Sequence, residues 1–289
     1  MDILQSLLNG VLLGGLYAVI GIGMSLIFGI MGLTNLAHGD LIITGTFVCM
    51  AVAAQFVGNL WLSLLVTICV MTIVGFLIQH FLVNRMLDKG AEPALLVTFG
   101  ISICLSNALL LLFGADARSI QSSIMSANVI KTEFYSISAV YLLDFIAAII
   151  VIFSLHCLLK YTYFGRAIRA TSDEIGSAEL VGVNTKKIYS YTMCLAMVSA
   201  AVAGLLVGMT FIFYPSTGTQ YLIIAFGVVV IGGMGSLVGT LLGGIILGLA
   251  QLLGAHFFGA GYQLLAGYLV LLIILTIKPE GLLSSAIRK

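Results

Sequence analysis

Residues 221–253 read YLIIAFGVVVIGGMGSLVGTLLGGIILGLAQLL, an apolar run with no charged side chain. A helix needs about 20 apolar residues to cross the hydrocarbon core of a bilayer, so this run is too long for one simple span. Glycines interrupt it at Gly232–Ser236, and irregular backbone at membrane depth is tolerated only where protein buries it or where it lines a cavity. We therefore expect a broken segment, re-entrant or folded into a two-armed hairpin, with its tip at Gly232–Ser236.

The rest of the chain has the same apolar character. Of its 289 residues, 61% are hydrophobic and 8% are charged, whereas soluble domains carry about 25% charged residues. The polar gaps are too short for a soluble domain, so we predict an all-α integral membrane protein with a single transmembrane domain over residues 1–289 and about eight hydrophobic segments. Besides 221–253, these segments are expected at 6–30, 41–58, 61–83, 94–113, 138–159, 188–211 and 262–277. Such a chain is expected to move a small solute, not to catalyse a reaction.

The basic residues predict how the chain is oriented, because Lys and Arg stay on the cytoplasmic side of a membrane. Nearly all of them fall at 85–89, within 160–187 or from Lys278 to the C-terminus. We expect these regions inside and 114–137 outside. Parity then places both ends of 221–253 outside, the C-terminus inside and the N-terminus outside. The first segment lacks the basic start and cleavage site of a secretory signal, so it is expected to be a retained span.

The internal loop 160–187 is predicted to contain a short helix over 172–182. Thr171-x-x-Glu174 has the pattern of a capping box at a helix start. Gly182 stands where a left-handed C-cap belongs. Such a helix would be about 14 Å long, too short to span the bilayer, and would lie at the membrane surface.

One face of this helix is expected to carry Ile175, Ala178 and Val181, which are spaced by one helical turn. Glu174 and Glu179 are expected to be exposed. The residues alone leave two interpretations open, which are a docking element for a partner protein and an ordinary interfacial loop helix.

A second polar stretch, NLAHGD at 35–40, lies between two apolar segments. Its candidate pathway residues are Asn35, His38 and Asp40, because ionisable groups at membrane depth are costly and tend to be functional. The alternative is a hydrated turn at the cytoplasmic surface, in which Asn35, Gly39 and Asp40 are turn formers and a helix cap.

Glycine patterns give two further expectations. GIMG at 29–32 is similar to GGMG at 232–235, and paired Gly-interrupted segments point to the central pathway of a transporter. Gly232, Gly233 and Gly235 are therefore further candidate pathway residues. Glycines spaced by four predict close helix contacts, and such pairs or triplets are Gly10 and Gly14, Gly204 and Gly208, Gly235, Gly239 and Gly243, and Gly244 and Gly248.

Several function classes lack their motifs in this chain. There is no GxxxxGK[ST] phosphate loop, so the chain is not expected to hydrolyse nucleotide alone. There is no HExxH or GxSxG motif, which argues against a protease or hydrolase. No His or Cys residues have metal-ligand spacing, and the formal net charge of +1 gives no reason to expect nucleic acid.

Motifs spread over the whole chain resemble one family. GLYA at 15–18, FG at 28–29 and NLAHGD at 35–40 closely resemble the start of the branched-chain amino acid ABC permeases of the LivH type. FGRAIRA at 164–170 and AELVGVN at 178–184 resemble the internal loop of that family. AFG at 225–227, GGMGS at 232–236, Gly239 and GG at 243–244 resemble its last third. KPEGL at 278–282 resembles its C-terminal ending, with Lys278 in place of the more usual Arg.

The resemblance implies a role and a set of partners. The chain would be one of two related membrane subunits of an importer, paired with a LivM-like paralogue in a bacterial inner membrane. A soluble binding protein would deliver leucine, isoleucine or valine from outside, and two ATPase subunits would bind ATP, so this chain needs no cofactor of its own. The helix 172–182 would be the coupling element, through Glu174, Ile175, Ala178, Glu179 and Gly182. Relatives of this family also carry urea and short amides.

Other functions remain as alternatives. An ion-coupled secondary transporter would use His38, Asp40 and Asp144 as its coupling groups. An intramembrane enzyme would need a cluster of catalytic or metal-binding side chains, which the sequence does not assemble. A structural scaffold gains nothing from broken, Gly-rich segments in lipid.

Overall fold

The computed structural model describes residues 3–56, 59–87, 89–120, 128–131 and 136–283. In these residues the chain is a helical bundle with one small antiparallel hairpin in the predicted external loop. In chain order the elements are α1 (Ile3–Met31), α2 (His38–Gln55), α3 (Leu60–Leu77) continued by a π-helical turn (Ile78–Val83) and α4 (Asn84–Leu87), α5 (Ala91–Phe113), β1 (Asn128–Lys131), β2 (Ser136–Ser138), α6 (Ala139–Tyr161), α7 (Tyr163–Asp173), α8 (Ile175–Leu180), α9 (Thr185–Thr210), a 3₁₀ turn (Pro215–Thr217), α10 (Gly218–Gly232), α11 (Leu237–Phe258), a 3₁₀ turn (Ala260–Tyr262) and α12 (Gln263–Ile277).

Eight of the described helical segments are long and apolar enough to cross a membrane. This confirms the predicted number, but the set differs from the predicted one. The run 221–253 supplies two of the eight, Pro215–Gly232 and Leu237–Phe258, whereas α2, over the predicted segment 41–58, is not among them. The reason is that α2 carries polar residues in its first turn and begins inside the bundle, as described below.

The Gly-rich break is confirmed as a two-armed hairpin. α10 ends at Gly232 and α11 begins at Leu237. Gly233 and Gly235 adopt φ values of +104° and +85°, a region that residues with a Cβ rarely occupy. The Ser236 hydroxyl accepts a hydrogen bond from the Gly239 amide at 3.0 Å, and so caps α11. The main-chain amide of Leu282 donates to the carbonyl of Ile231 at 2.9 Å, so the segment after α12 covers the tip.

The core of the bundle is built around α1. This helix is apolar on all sides and mostly buried, as expected for a central helix. It runs antiparallel to α11, and the predicted glycine spacing accounts for their contact. An added Cβ on Gly14 would overlap the backbone of Ile245, and one on Gly244 or Gly248 would overlap the backbone of α1. The two helices therefore approach more closely than side chains would allow.

The helix ends form two groups. At one end, called the loop end, the Ser172 hydroxyl donates to the Gly29 carbonyl at 2.6 Å, and the Asn84 amide donates to the Lys186 carbonyl at 3.2 Å. At the opposite end, Arg118 and Phe213 form a β-bridge. This arrangement agrees with the predicted grouping of the basic loops on one side and of residues near 114 and 211 on the other. Arg288 and Lys289, which also supported that orientation, lie outside the described residues.

The α1–α11 contact leads to the first prediction. We expect Gly244→Leu to lower the free energy of unfolding by about 2 kcal/mol or more, because overpacking a tight contact costs on the order of 1–3 kcal/mol. The thermal midpoint of the detergent-solubilised chain reports the change. Gly100→Leu is the matched control, because no atom of the described residues lies within 4 Å of a Cβ at that helical position. Equal midpoints for the two variants would contradict the interpretation.

Candidate translocation segment and coupling surface

The stretch at 35–40 lies at membrane depth. After α1 ends at Met31 the chain folds back along it, and the His38 imidazole Nε2 lies 3.0 Å from the carbonyl oxygen of Ile20. About 16 Å of helix separates Ile20 from Met31, at 1.5 Å per residue. Asn35, His38 and Asp40 are all buried, with 5%, 0% and 2% exposure. The alternative of a hydrated surface turn is therefore wrong, and α2 begins inside the bundle.

Local hydrogen bonds explain how irregular backbone is accommodated there. Asn35 Oδ1 accepts from the Ala37 amide at 3.0 Å, and the Asn35 carbonyl accepts from the His38 amide at 3.1 Å. The Leu36 amide donates to Thr98 Oγ1 on α5 at 3.3 Å. These bonds satisfy groups that cannot reach water, as backbone in a membrane requires. Asn35 and His38 thus have a structural role as well as a position at depth.

Asp40 occupies the first turn of α2, where a carboxylate is favoured by the helix dipole. The Ser102 hydroxyl of α5 donates to its Oδ2 at 2.5 Å. Thr98, Ser102 and Ser106 share one face of α5, since they are spaced by four.

Two cavities lie along this hydroxyl face. One, of about 20 Å³, is lined by Asn35 and Thr98, and the other, of about 310 Å³, is lined by Ser106. Ser102, which binds Asp40, lies between Thr98 and Ser106 on this face, so Asp40 lies between the two cavities.

The glycine tip and the polar stretch are separate in the structure. Asp40 contacts Gly218, the first residue of α10, whereas Gly232 is its last residue. About 21 Å of helix lies between them. Gly233 instead packs against Gly281. The predicted pathway residues thus form two sites, and their part in translocation stays a prediction.

The predicted helix 172–182 is wrong as a single element. α7 runs to Asp173, Glu174 is extended (φ −156°, ψ 113°), and α8 follows. Thr162, not Thr171, caps the start of α7. The capping box does not form because Thr171 lies within α7, where its hydroxyl donates to the Ala167 carbonyl at 2.9 Å.

The predicted C-cap at Gly182 is confirmed. Gly182 has a φ of +88°. Its amide donates to the Glu179 carbonyl and the Val183 amide donates to the Ala178 carbonyl, both at 3.0 Å. These two bonds form a Schellman motif, which satisfies the last carbonyls of α8.

The exposed face of α8 differs from the predicted one. Ala178 is 2% exposed and faces the bundle, so it does not share a face with Ile175 and Val181, which are 49% and 78% exposed. Leu180, at 90% exposure, is the most exposed apolar side chain of this loop. Sequence reasoning missed it, although an apolar residue in a polar loop is the signal that could have identified it.

Hydrogen bonds connect α7 and α8 to three spanning helices. Thr185, the first residue of α9, donates to Glu179 Oε1 at 2.7 Å. Ser172 reaches the end of α1, as described above, and Arg169 Nη1 donates to the Leu159 carbonyl of α6 at 2.6 Å. The contacts of α8 therefore reach α9 directly and reach α1 and α6 through α7.

The bundle, the buried polar stretch and the tethered loop helix together define a polytopic membrane permease. Residues 6–277 match the profile of the family described as the branched-chain amino acid transport system permease component. The chain belongs to this family and is a permease component of an ABC transport system.

Similar proteins cover nearly the full chain. The high-affinity branched-chain amino acid transport system permease protein BraD of Pseudomonas aeruginosa is 30% identical, over 97% of this chain and 95% of BraD. LivH of Escherichia coli K12 has the same identity and coverage. The ribose import permease RbsC of Haemophilus influenzae is 28% identical over 89% of this chain and 79% of RbsC. Among solved structures, PsaBC from Streptococcus pneumoniae in complex with Fab matches with a TM-score of 0.51 over 97% of this chain and 93% of that chain, at 14% identity, which supports the fold alone.

The buried imidazole leads to a second prediction. We expect His38→Ala to lower the free energy of unfolding by about 2 kcal/mol, because it removes a buried hydrogen bond and leaves a cavity. Chemical unfolding in detergent measures the change. His80→Ala is the control, because His80 is exposed, and we expect about 0.5 kcal/mol or less there. An equal loss in both variants would show that the contact with Ile20 is not important.

The left-handed C-cap leads to a third prediction. A residue with a Cβ at a left-handed position costs about 1–2 kcal/mol, so Gly182→Val should loosen the end of α8. We expect about tenfold faster tryptic cleavage after the exposed Lys187. Gly182→Asn should cleave near the native rate because Asn tolerates this conformation. In the part of the chain that the structure describes, no atom lies within 4 Å of an added Cβ at Gly182, so a clash does not explain the difference.

Proposed function

We propose that this chain is one membrane subunit of a binding-protein-dependent importer of leucine, isoleucine and valine in a bacterial inner membrane. The observation that carries the proposal is similarity over nearly the whole chain to permeases named for branched-chain amino acids. Its partners are a LivM-like second permease, two ATPase subunits that bind ATP, and an external binding protein. The chain itself needs no cofactor and performs no hydrolysis.

The orientation belongs to the same proposal. The loop end carries most of the basic residues, which favours a cytoplasmic location. Because α11 runs antiparallel to α1, the tip of the α10–α11 hairpin lies at the loop end, where α1 ends. The segment at 278–283 contacts this tip. A cytoplasmic C-terminus therefore fits a cytoplasmic loop end. The opposite end then faces the binding protein.

In this proposal α8 is the docking element for an ATPase subunit. Ile175 and Leu180 of α8 and Val181, directly after it, are exposed and offer an apolar surface, and Glu174 and Glu179 lie beside this surface. Closure of the ATPase pair moves α8, and the contacts of Ser172 and Thr185 pass that movement to α1 and α9. Because α1 and α9 contribute about half of the buried core residues, their tilt alternates access to the pathway.

The test begins with purification of the tagged chain from its native membrane in mild detergent, followed by mass spectrometry. We expect two phosphate-loop ATPases and a second permease to copurify. The complex in liposomes, supplied with its binding protein, should take up leucine only with ATP. A chain that purifies alone and transports without ATP would refute the proposal in favour of an ion-coupled transporter. ATP-dependent uptake of urea or short amides in place of leucine would refute the substrate.

The exposed leucine leads to a fourth prediction. We expect Leu180→Glu to lower ATP-dependent uptake about tenfold or more, because burying an unpaired charge in an interface costs several kcal/mol. Leu180→Met keeps the apolar contact and should retain uptake. Both variants should insert normally, since the side chain is 90% exposed. Native uptake by Leu180→Glu would place the docking surface elsewhere.

A further inference from the structure

A cavity of about 530 Å³ opens at the end of the bundle opposite the loop end. It lies between α1, α9, α10, α11 and α12, and both polar and apolar side chains line it. Its volume lies within the range of about 300–1,000 Å³ that is usual for small-molecule sites. Its lining includes the polar residues Tyr17, Thr210 and Gln251 and the apolar residues Ile224 and Leu264.

Gln251 presents an unused hydrogen-bond donor in this cavity. The side chain is 0% exposed, and its Oε1 accepts from the Tyr17 hydroxyl at 2.5 Å and from the Gln263 amide at 3.5 Å. Both contacts orient the amide, and Gly267 leaves room for its stem. The Nε2 group is buried and has no hydrogen-bond partner among the described residues. A buried donor without a partner is unfavourable, so this group suits a ligand that brings an acceptor.

Thr210 presents the complementary group. Its hydroxyl donates to Asp144 Oδ2 at 2.9 Å, so its oxygen remains available as an acceptor. Asp144 is 0% exposed, and within the described part of the chain its Oδ1 has no hydrogen-bond partner. A hydroxyl that donates one hydrogen bond becomes a stronger acceptor for another donor. The Thr210 side of the cavity therefore suits an ammonium group.

We propose that this cavity is a binding site for a zwitterionic amino acid with an aliphatic side chain. Its carboxylate accepts from Gln251 Nε2, its ammonium group donates to Thr210, which Asp144 polarises, and its side chain packs on Ile224 and Leu264. The proposal rests on the proposed function and adds to it, because it assigns part of the selectivity to this chain. Urea and short amides can reach the same two groups only through neutral hydrogen bonds, which are weaker than charge-assisted ones, and they lack the aliphatic side chain.

The test uses the purified complex in lipid nanodiscs and photo-leucine, a leucine analogue that carries a diazirine. After illumination, digestion and mass spectrometry, we expect labelled peptides from 210–224 and 251–264. Excess leucine should protect both peptides. Isoamylamine, which lacks the carboxylate, and 4-methylpentanoate, which lacks the ammonium group, should protect about tenfold less well, since each loses a charge-assisted hydrogen bond.

Substitutions test separately which residue binds the carboxylate of leucine and which binds its ammonium group. Gln251→Ala should remove the advantage of leucine over isoamylamine, and Thr210→Val should remove its advantage over 4-methylpentanoate. Gln55→Ala and Thr276→Val replace the same residue types outside the cavity and should change neither ratio.

ATP-dependent leucine uptake is measured on the same preparation. Uptake without labelling at the cavity, or labelling with unchanged ratios in both cavity variants, overturns this proposal and leaves the proposed function intact. Loss of uptake in the native complex overturns the proposed function instead. Protection by acetamide equal to that by leucine overturns the zwitterion assignment.

Discussion

The close contact between α1 and α11 is the constraint on which the bundle depends. In lipid there is no hydrophobic drive between helices, so association relies on packing at short range. Gly10 and Gly14 on one helix face Gly244 and Gly248 on the other, and each leaves space for the opposite backbone. With α1 fixed at the centre, α6, α9 and α10 pack around it. The peripheral helices α3, α5 and α12 add lipid-facing surface.

The lipid surroundings also explain the unusual course of the chain after α1. Backbone that is neither helix nor sheet survives at this depth only because protein surrounds it and satisfies its polar groups. Asn35, Thr98 and the Ile20 carbonyl provide those partners. The segment is therefore fixed by hydrogen bonds within itself, to α5 and to α1. Asp40 is consequently fixed in position at the start of α2, facing Ser102.

The sequence predicted the fold because lipid imposes simple rules. Composition and run length identified the spans, and Gly232–Ser236 located the hairpin tip. The depth of 35–40 in the membrane could not be predicted, because a hydrated turn and a buried re-entrant stretch can have the same polar residues. The contact of His38 with Ile20 distinguishes the two. The α7–α8 break was missed for a related reason, because Thr171 had a carbonyl partner within α7 that the capping pattern cannot anticipate. Leu180 was missed because the face of α8 that is exposed depends on how the loop packs on the bundle, which the sequence pattern does not contain.

One helix connects the two ends of the molecule. α9 begins at Thr185, which contacts Glu179 of α8, and ends at Thr210, which lines the cavity at the opposite end. Its length is about 39 Å, and it is regular throughout. Gln251, the other polar group of the proposed amino acid site, lies on α11, whose position is fixed by the glycine contact with α1. A tilt of α9 relative to α11 therefore changes the distance between the groups that hold the ammonium and the carboxylate. If the ATPases of the proposed importer move α9 at the loop end, this regular helix carries the movement to Thr210, so that docking at one end and ligand binding at the other are coupled.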